Sequence, residues 1–139
     1  MRFMMIVKAD ASTEAGVLPT EQQLADMARY NEELAKAGVM LAGEGLQASS
    51  KGARVRYSGK HRTVIDGPFT ESKELIAGFW LIRVDSRDEA IEWAKRVPFE
   101  DGEVEIRQVF ELEDFGSSEA VDRHAQLRAQ LEQKRTAAT

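Results

Sequence analysis

Two strand-helix-strand patterns follow one another along this 139-residue chain, with a hairpin pattern between them. The strand pattern Phe3–Ala9 is apolar on both faces, which predicts a central strand. Thr20 with Gln23 and Ser86 with Glu89 have the spacing of capping boxes and predict where two helices begin. In order, the predicted elements are strand Phe3–Ala9, a helix from Thr20 to Gly38, strand Val39–Leu46, hairpin strands Arg54–Ser58 and Arg62–Asp66, strand Ala77–Val84, a helix from Ser86 to Pro98, and strand Val104–Phe110.

This order predicts an α+β fold with a ferredoxin-like βαβ-hairpin-βαβ protomer. Its two helices should cover one face of the sheet. The other face would then expose more apolar side chain to water than a soluble chain tolerates. A two-fold partner that stacks sheet on sheet would cover it, so we expect a homodimer. The residues assigned to that uncovered face are Phe3, Met5, Phe79 or Trp80, Leu81 and Ile106.

The chain after Ser117 has apolar residues at helical spacing, which predicts an additional C-terminal helix. We therefore expect a domain at residues 1–115 and a helical tail at residues 116–139.

Composition argues against several classes of function. The net charge of −5 disfavours nucleic-acid binding. The chain has no cysteine, which excludes thiolate metal sites and fits a reducing cytoplasm. His61 and His124 lie far apart in sequence, so we expect no metal, and we expect no cofactor. Apolar runs are too short for a membrane span. A local basic cluster is interpreted as a solvated hairpin edge, with anion binding as the alternative: Lys51, Arg54, Arg56, Lys60, His61 and Arg62.

The stretch from Asp66 to Glu74, DGPFTESKE, is dense in polar groups between two apolar segments. Asp66 is either a turn residue or a catalytic carboxylate at the mouth of a cleft. Glu71 and Lys73 are two residues apart and either pair with each other or bind a substrate, with Lys73 meeting a ligand anion. Glu74 is interpreted as solvated.

Two further polar residues stand at positions that the patterns would bury, and a third candidate lies on the last strand. Asn31 falls on the apolar stripe of the first helix and either satisfies a backbone group or lines a substrate pocket. Glu44, between two glycines in a strand expected to be largely buried, is either a general base or turned to solvent by a bulge. Arg107 on the last strand either pairs across the sheet or holds a ligand carboxylate.

The DGPFTESKE stretch, followed by LIAGFW, resembles the YCII-related family in its DGPF-domain branch. Supporting matches are Ala37–Val39, Gly43–Leu46, Asp88–Ala94 and Val104–Arg107. The resemblance implies a dimeric α/β barrel built from ferredoxin-like protomers. A histidine and an aspartate in a cleft are the suggested catalytic pair of the YciI-like members. This chain has Arg29-Tyr30-Asn31-Glu32 on the first helix, so it departs from the histidine pattern.

The resemblance and the polar residues together predict a cofactor-free enzyme that applies carboxylate acid-base chemistry to a small organic molecule. Asp66 and Glu44 would then be catalytic, and Asn31, Glu71, Lys73 and Arg107 would bind the substrate. The alternative is a non-catalytic ligand-binding or regulatory homodimer, since some DGPF members accompany alternative sigma factors.

Overall fold

The computed structural model describes residues 1–70 and 74–138. Its strands are β1 Arg2–Lys8, β2 Met40–Gly45, β3 Ala53–Ser58, β4 His61–Asp66, β5 Ile76–Arg83 and β6 Val104–Gln108. Its α-helices are α1 Ala11–Glu14, α2 Glu21–Lys36, α3 Arg87–Lys95 and α4 Glu119–Ala138. Short 3-10 turns lie at Ser49–Lys51 and Leu112–Phe115. The chain divides into two compact units, Met1–Gln108 and Val109–Thr139.

The main sheet of the first unit has the order β2-β5-β1-β6, and every neighbouring pair is antiparallel. This is the ferredoxin-like arrangement, so the predicted α+β fold is confirmed. β1 is an inner strand, as its two apolar faces predicted. β3 and β4 form a separate two-stranded sheet, the hairpin inserted between the two halves.

Side-chain caps set the start of each helix in the first unit. Thr20 and Gln23 form the predicted capping box of α2, with backbone-to-side-chain bonds of 3.1 and 2.8 Å. The predicted box at α3 is half right, because Ser86 accepts a bond from the Glu89 amide but the Glu89 carboxylate accepts one from Asp85. An Asp10 cap opens the short helix α1 between β1 and α2, where the predicted elements included none.

The core lies between the sheet and helices α2 and α3. The residues packed there include Phe3, Met5, Tyr30, Leu34, Trp80, Ile82, Ala90 and Val97. The assignment of Phe3, Met5, Trp80 and Ile106 to the uncovered face was therefore wrong, because these side chains face the helices. Strand alternation puts Met4, Ile6, Phe79 and Leu81 on the other face, where they are half-buried. We call this second face the open face.

The second unit consists of a 3-10 turn at Leu112–Phe115 and the predicted C-terminal helix, α4. The rings of Phe110 and Phe115 lie with their centroids 4.9 Å apart. Leu127 and Leu131 on α4 are exposed. In the part of the chain that the structure describes, no helix combines the length and the apolar composition that crossing a membrane requires.

Candidate functional site

Asn31 lies on α2, where its side chain meets the sheet. Its Oδ1 accepts a 2.8 Å hydrogen bond from the indole Nε1 of Trp80 on β5. Neither expected partner, a backbone group or a pocket, is the one observed. A buried indole N–H needs an acceptor, and Asn31 supplies it. Gly43 on β2 makes room for this arrangement, because a Cβ there would lie 2.9 Å from Trp80 Cδ1.

Tyr30 lies beside Asn31 and joins the two tryptophans. Its ring packs edge-on against Trp80 and Trp93, and its hydroxyl donates a 2.7 Å hydrogen bond to the Trp93 carbonyl. Burial raises the pKa of Tyr30 to about 12, so the phenol is neutral at physiological pH. A phenol with this pKa is a poor general acid or base near neutral pH.

A cleft of about 260 Å³ opens beside Tyr30, between α2 and the end of α3. Its charged side chains are already paired, Arg29 with Asp26 at 3.6 Å and Arg96 with Glu33. Arg96 also lies over the Trp93 ring, 4.3 Å from its centroid. Because each cation has a carboxylate partner, the cleft offers a ligand little unpaired charge.

Glu44 projects from β2 onto the open face. Gly43 pairs with Trp80 and Glu44 pairs with Phe79, so Glu44 lies on the side of the sheet opposite Asn31. The side chain is exposed, which corrects the expectation of a largely buried strand. The irregularity of β2 lies between Met40 and Ala42 rather than at the two glycines. Within the described ranges, no side chain bonds the Glu44 carboxylate.

A charged cluster occupies the β1-β6 side of the open face. Glu105 lies between Lys8, at 3.3 Å, and Arg107, at 3.4 Å. The hydrogen bond from Lys8, supported by the one from Arg107, holds the pKa of Glu105 below its ordinary value. Two cations share one carboxylate, so the cluster has a net positive charge. Arg107 keeps 71% of its side chain exposed and can meet an anion.

The beginning of the DGPFTESKE stretch packs against the 3-10 turn at Ser49. A Cβ on Gly67 would lie 1.8 Å from the Ser49 carbonyl oxygen, so only glycine fits. The Ser49 hydroxyl donates to Glu14 at 2.5 Å and accepts from the Phe69 amide at 3.0 Å. Glu14 also accepts from the Ser49 amide at 3.0 Å. We call Glu14, Ser49, Gly67 and Phe69 the signature corner.

Asp66 ends β4 next to this corner and is exposed. Over residues 1–70 and 74–138 its carboxylate accepts no hydrogen bond, so the turn bond expected of it is not formed. Glu71 and Lys73 lie outside the described residues, and both remain predictions.

The predicted site residues do not form one cluster among the described parts of the chain. Asn31 is on the helix side of the sheet, Glu44 and Arg107 are on the open face, and Asp66 is at the hairpin. Among the described residues, no three His, Asp or Glu side chains lie close enough together to hold a metal ion. Sequence reasoning missed Glu14 and Ser49, whose separation of 35 positions gives no local signal. It also missed the ion pair of Lys8 with Glu105, although both residues lie in predicted strands.

Three comparisons relate the chain to known proteins. The family model described as the YCII-related domain matches residues 1–113. An uncharacterized protein of Rhizobium meliloti (strain 1021) is 33% identical over 75 residues, which are 54% of this chain and 60% of that protein's length. A solved 5-chloro-2-hydroxyhydroquinone dehydrochlorinase from Burkholderia phenoliruptrix AC1100, in complex with 2,5-dihydroxybenzoquinone, is 16% identical with a TM-score of 0.39. That match covers 79% of this chain and 94% of the dehydrochlorinase.

Proposed function

Because this chain belongs to the YCII-related domain family, we propose that it acts as a homodimer that binds a small organic anion at its sheet. The observation that carries this proposal is the composition of the open face. Half-buried Met4, Ile6, Phe79 and Leu81 lie there beside the net positive cluster of Lys8, Glu105 and Arg107.

The apolar part of the open face supports the dimer. The side chains of the core lie on the face that contacts α2 and α3, and Met4, Ile6, Phe79 and Leu81 are not among the described residues of that core. Two copies related by a two-fold axis would bury these side chains against each other, as stacked sheets do.

Sedimentation at micromolar concentration tests the dimer. We expect the wild type to sediment as a dimer and Phe79→Arg to sediment as a monomer, because an arginine on each copy would be buried against the other. Leu18→Arg is the matched control, because Leu18 is 84% exposed and lies outside the sheet. A wild type that stays monomeric would refute the dimer, and equal behaviour of the two variants would remove the open face from its interface.

The charged part of the open face supports anion binding. Arg107 is exposed and shares Glu105 with Lys8, so a carboxylate or sulfonate can bind it without first breaking a complete ion pair. We use 8-anilinonaphthalene-1-sulfonate as a probe, since it joins an apolar ring system to an anion.

Arg107→Gln should weaken binding of this probe about tenfold, the effect of losing one charge-assisted hydrogen bond. Arg87→Gln, at the exposed start of α3, should bind like the wild type. Equal probe affinities for the two variants would remove Arg107 from the site.

Glu44 favours a second candidate, acid-base catalysis on the open face. Its carboxylate is exposed beside Phe79 and has no side-chain partner in the described ranges. The simplest reaction that such a catalyst would accelerate is proton exchange at an acidic C–H group of a bound molecule. NMR-detected deuterium exchange of a panel of small 2-oxo and hydroxyaromatic acids measures it. Exchange that is accelerated by the wild type and lost in Glu44→Gln supports catalysis, and equal rates for the two proteins refute it.

A further inference from the structure

The inserted hairpin, β3 with β4, has a surface that its own chain leaves uncovered. It pairs Val55 with Val64 and Tyr57 with Arg62, which puts these side chains on one face. Val55, Tyr57 and Val64 are 46%, 71% and 66% exposed. A two-stranded hairpin is at best marginally stable in water without something packed against it. This apolar face therefore needs a contact.

The hairpin also differs in charge from the rest of the chain. Residues 49–66 contain five basic side chains and one acidic one, a net charge of +4. Because the whole chain has a net charge of −5, the remaining residues have −9. The hairpin is thus a positively charged arm on an acidic protein.

Two of the hairpin cations are placed to join a contact of this apolar face. Arg62 lies on the face, 4.7 Å from the centroid of the Tyr57 ring, and Lys60 lies in the exposed turn. Neither has a carboxylate within ion-pair distance among the described residues. Arg54 and Arg56 belong to the opposite face of the hairpin, where Arg54 lies over the Phe69 ring at 3.9 Å.

The loop between α3 and β6 has the complementary character. It places Glu100, Asp101 and Glu103 beside Phe99, which is 41% exposed. None of these three carboxylates lies within ion-pair distance of a cation in the described parts of the chain. The loop therefore presents negative charge and an apolar side chain together, as the hairpin presents positive charge and apolar side chains.

We propose that the hairpin of one copy docks on the Phe99–Glu103 loop of a second copy, so that a two-fold dimer has two such contacts. Val55, Tyr57 and Val64 would contact Phe99, and Lys60 and Arg62 would meet the carboxylates. This inference rests on the proposed dimer and adds a second contact region to it. A second copy is favoured over a nucleic acid because the −9 charge outside the hairpin repels polyanions and attracts the hairpin.

Charge reversal followed by rescue tests this contact. Lys60→Glu with Arg62→Glu should raise the dimer Kd at least about tenfold, since several surface pairs are reversed at two symmetric sites. Adding Glu100→Lys and Asp101→Lys to the same chain should return the Kd to within about threefold of the wild type. A merely structural role of the hairpin charges would not produce this rescue.

The matched control is Arg123→Glu with Arg128→Glu on α4, which changes the net charge by the same amount. We expect its Kd to stay within about threefold of the wild type. If thermal melting shows that the hairpin variant does not fold, Lys60→Gln with Arg62→Gln replaces it, with an expected rise in Kd of about threefold.

The outcomes separate this inference from the dimer itself. A dimeric wild type whose hairpin variant matches the α4 control overturns the hairpin contact and leaves the dimer standing. A wild type that is monomeric throughout overturns both. Binding of a fluorescent 20-base-pair DNA duplex by the wild type, lost in the hairpin variant with an unchanged dimer Kd, assigns the hairpin to nucleic acid and overturns the proposal.

Discussion

Gly67 is the residue whose replacement tests the signature corner most directly. An alanine Cβ there would lie 1.8 Å from the Ser49 carbonyl oxygen and 2.6 Å from its carbon. Both are backbone atoms, so no side-chain rotation relieves the overlap. We expect Gly67→Ala to separate the DGPF segment from the 3-10 turn by more than an ångström.

The expected loss in the free energy of unfolding comes from the hydrogen bonds that this separation breaks. Ser49 donates twice to the Glu14 carboxylate, and the Phe69 amide donates to the Ser49 hydroxyl. A hydrogen bond to a charged group contributes about 1.5–3 kcal/mol and a neutral one about 1 kcal/mol. Since relaxation preserves some of them, we expect the free energy of unfolding to fall by about 2–4 kcal/mol.

Urea denaturation followed by tryptophan fluorescence measures this change, because Trp80 is in the core and reports global unfolding. Amide hydrogen exchange at Phe69 should also become faster, since that amide loses its acceptor. Gly52→Ala is the control, because its Cβ would lie 3.5 Å from the same Ser49 oxygen, an ordinary contact. A loss below about 0.5 kcal/mol with unchanged exchange at Phe69 would refute the packing argument.

Two further predictions concern the helix side of the sheet. Asn31→Leu leaves the Trp80 indole without its acceptor and should lower the free energy of unfolding by about 1–3 kcal/mol in urea denaturation, whereas Asn31→Asp keeps an acceptor oxygen and should lose less. The pKa of Tyr30 is raised to about 12, so its contribution to stability is complete below the ordinary pKa near 10 and is lost as pH rises towards 12. In alkaline denaturation, Tyr57→Phe should lose this stability as the pH rises, and Tyr30→Phe should lose less of it. Equal curves for the two variants would contradict the assignment of the raised pKa to Tyr30.

The spacing of apolar residues was sufficient to predict the fold, because the core side chains of the first unit recur at strand and helix spacing. β1 alternates its side chains between two faces, and the α2 stripe that includes Leu34 packs on one of them. Periodicity shows that two faces differ but not which one meets the helices. That is why Phe3 and Met5 were assigned to the wrong face, while Phe79 and Leu81 were placed correctly.

The candidate site was harder to predict, because its contacts join residues distant in sequence. Asn31 was recognised as a polar residue on an apolar stripe, yet its partner Trp80 is 49 positions away. Ser49 and Glu14 are unremarkable in sequence, and they matter only because Gly67 lets the Ser49 backbone approach. A hydrogen bond between distant segments has no local pattern to reveal it.

The described residues that carry the family resemblance divide between packing and the protein surface. In the signature corner, Gly67 provides space and the Phe69 amide is bonded to Ser49. Asn31 is likewise bonded, to Trp80. Glu44 and Arg107 instead project from the open face, where strand alternation prevents them from serving the core. Function in this chain should therefore respond to changes on the open face, and changes in the signature corner should act through stability.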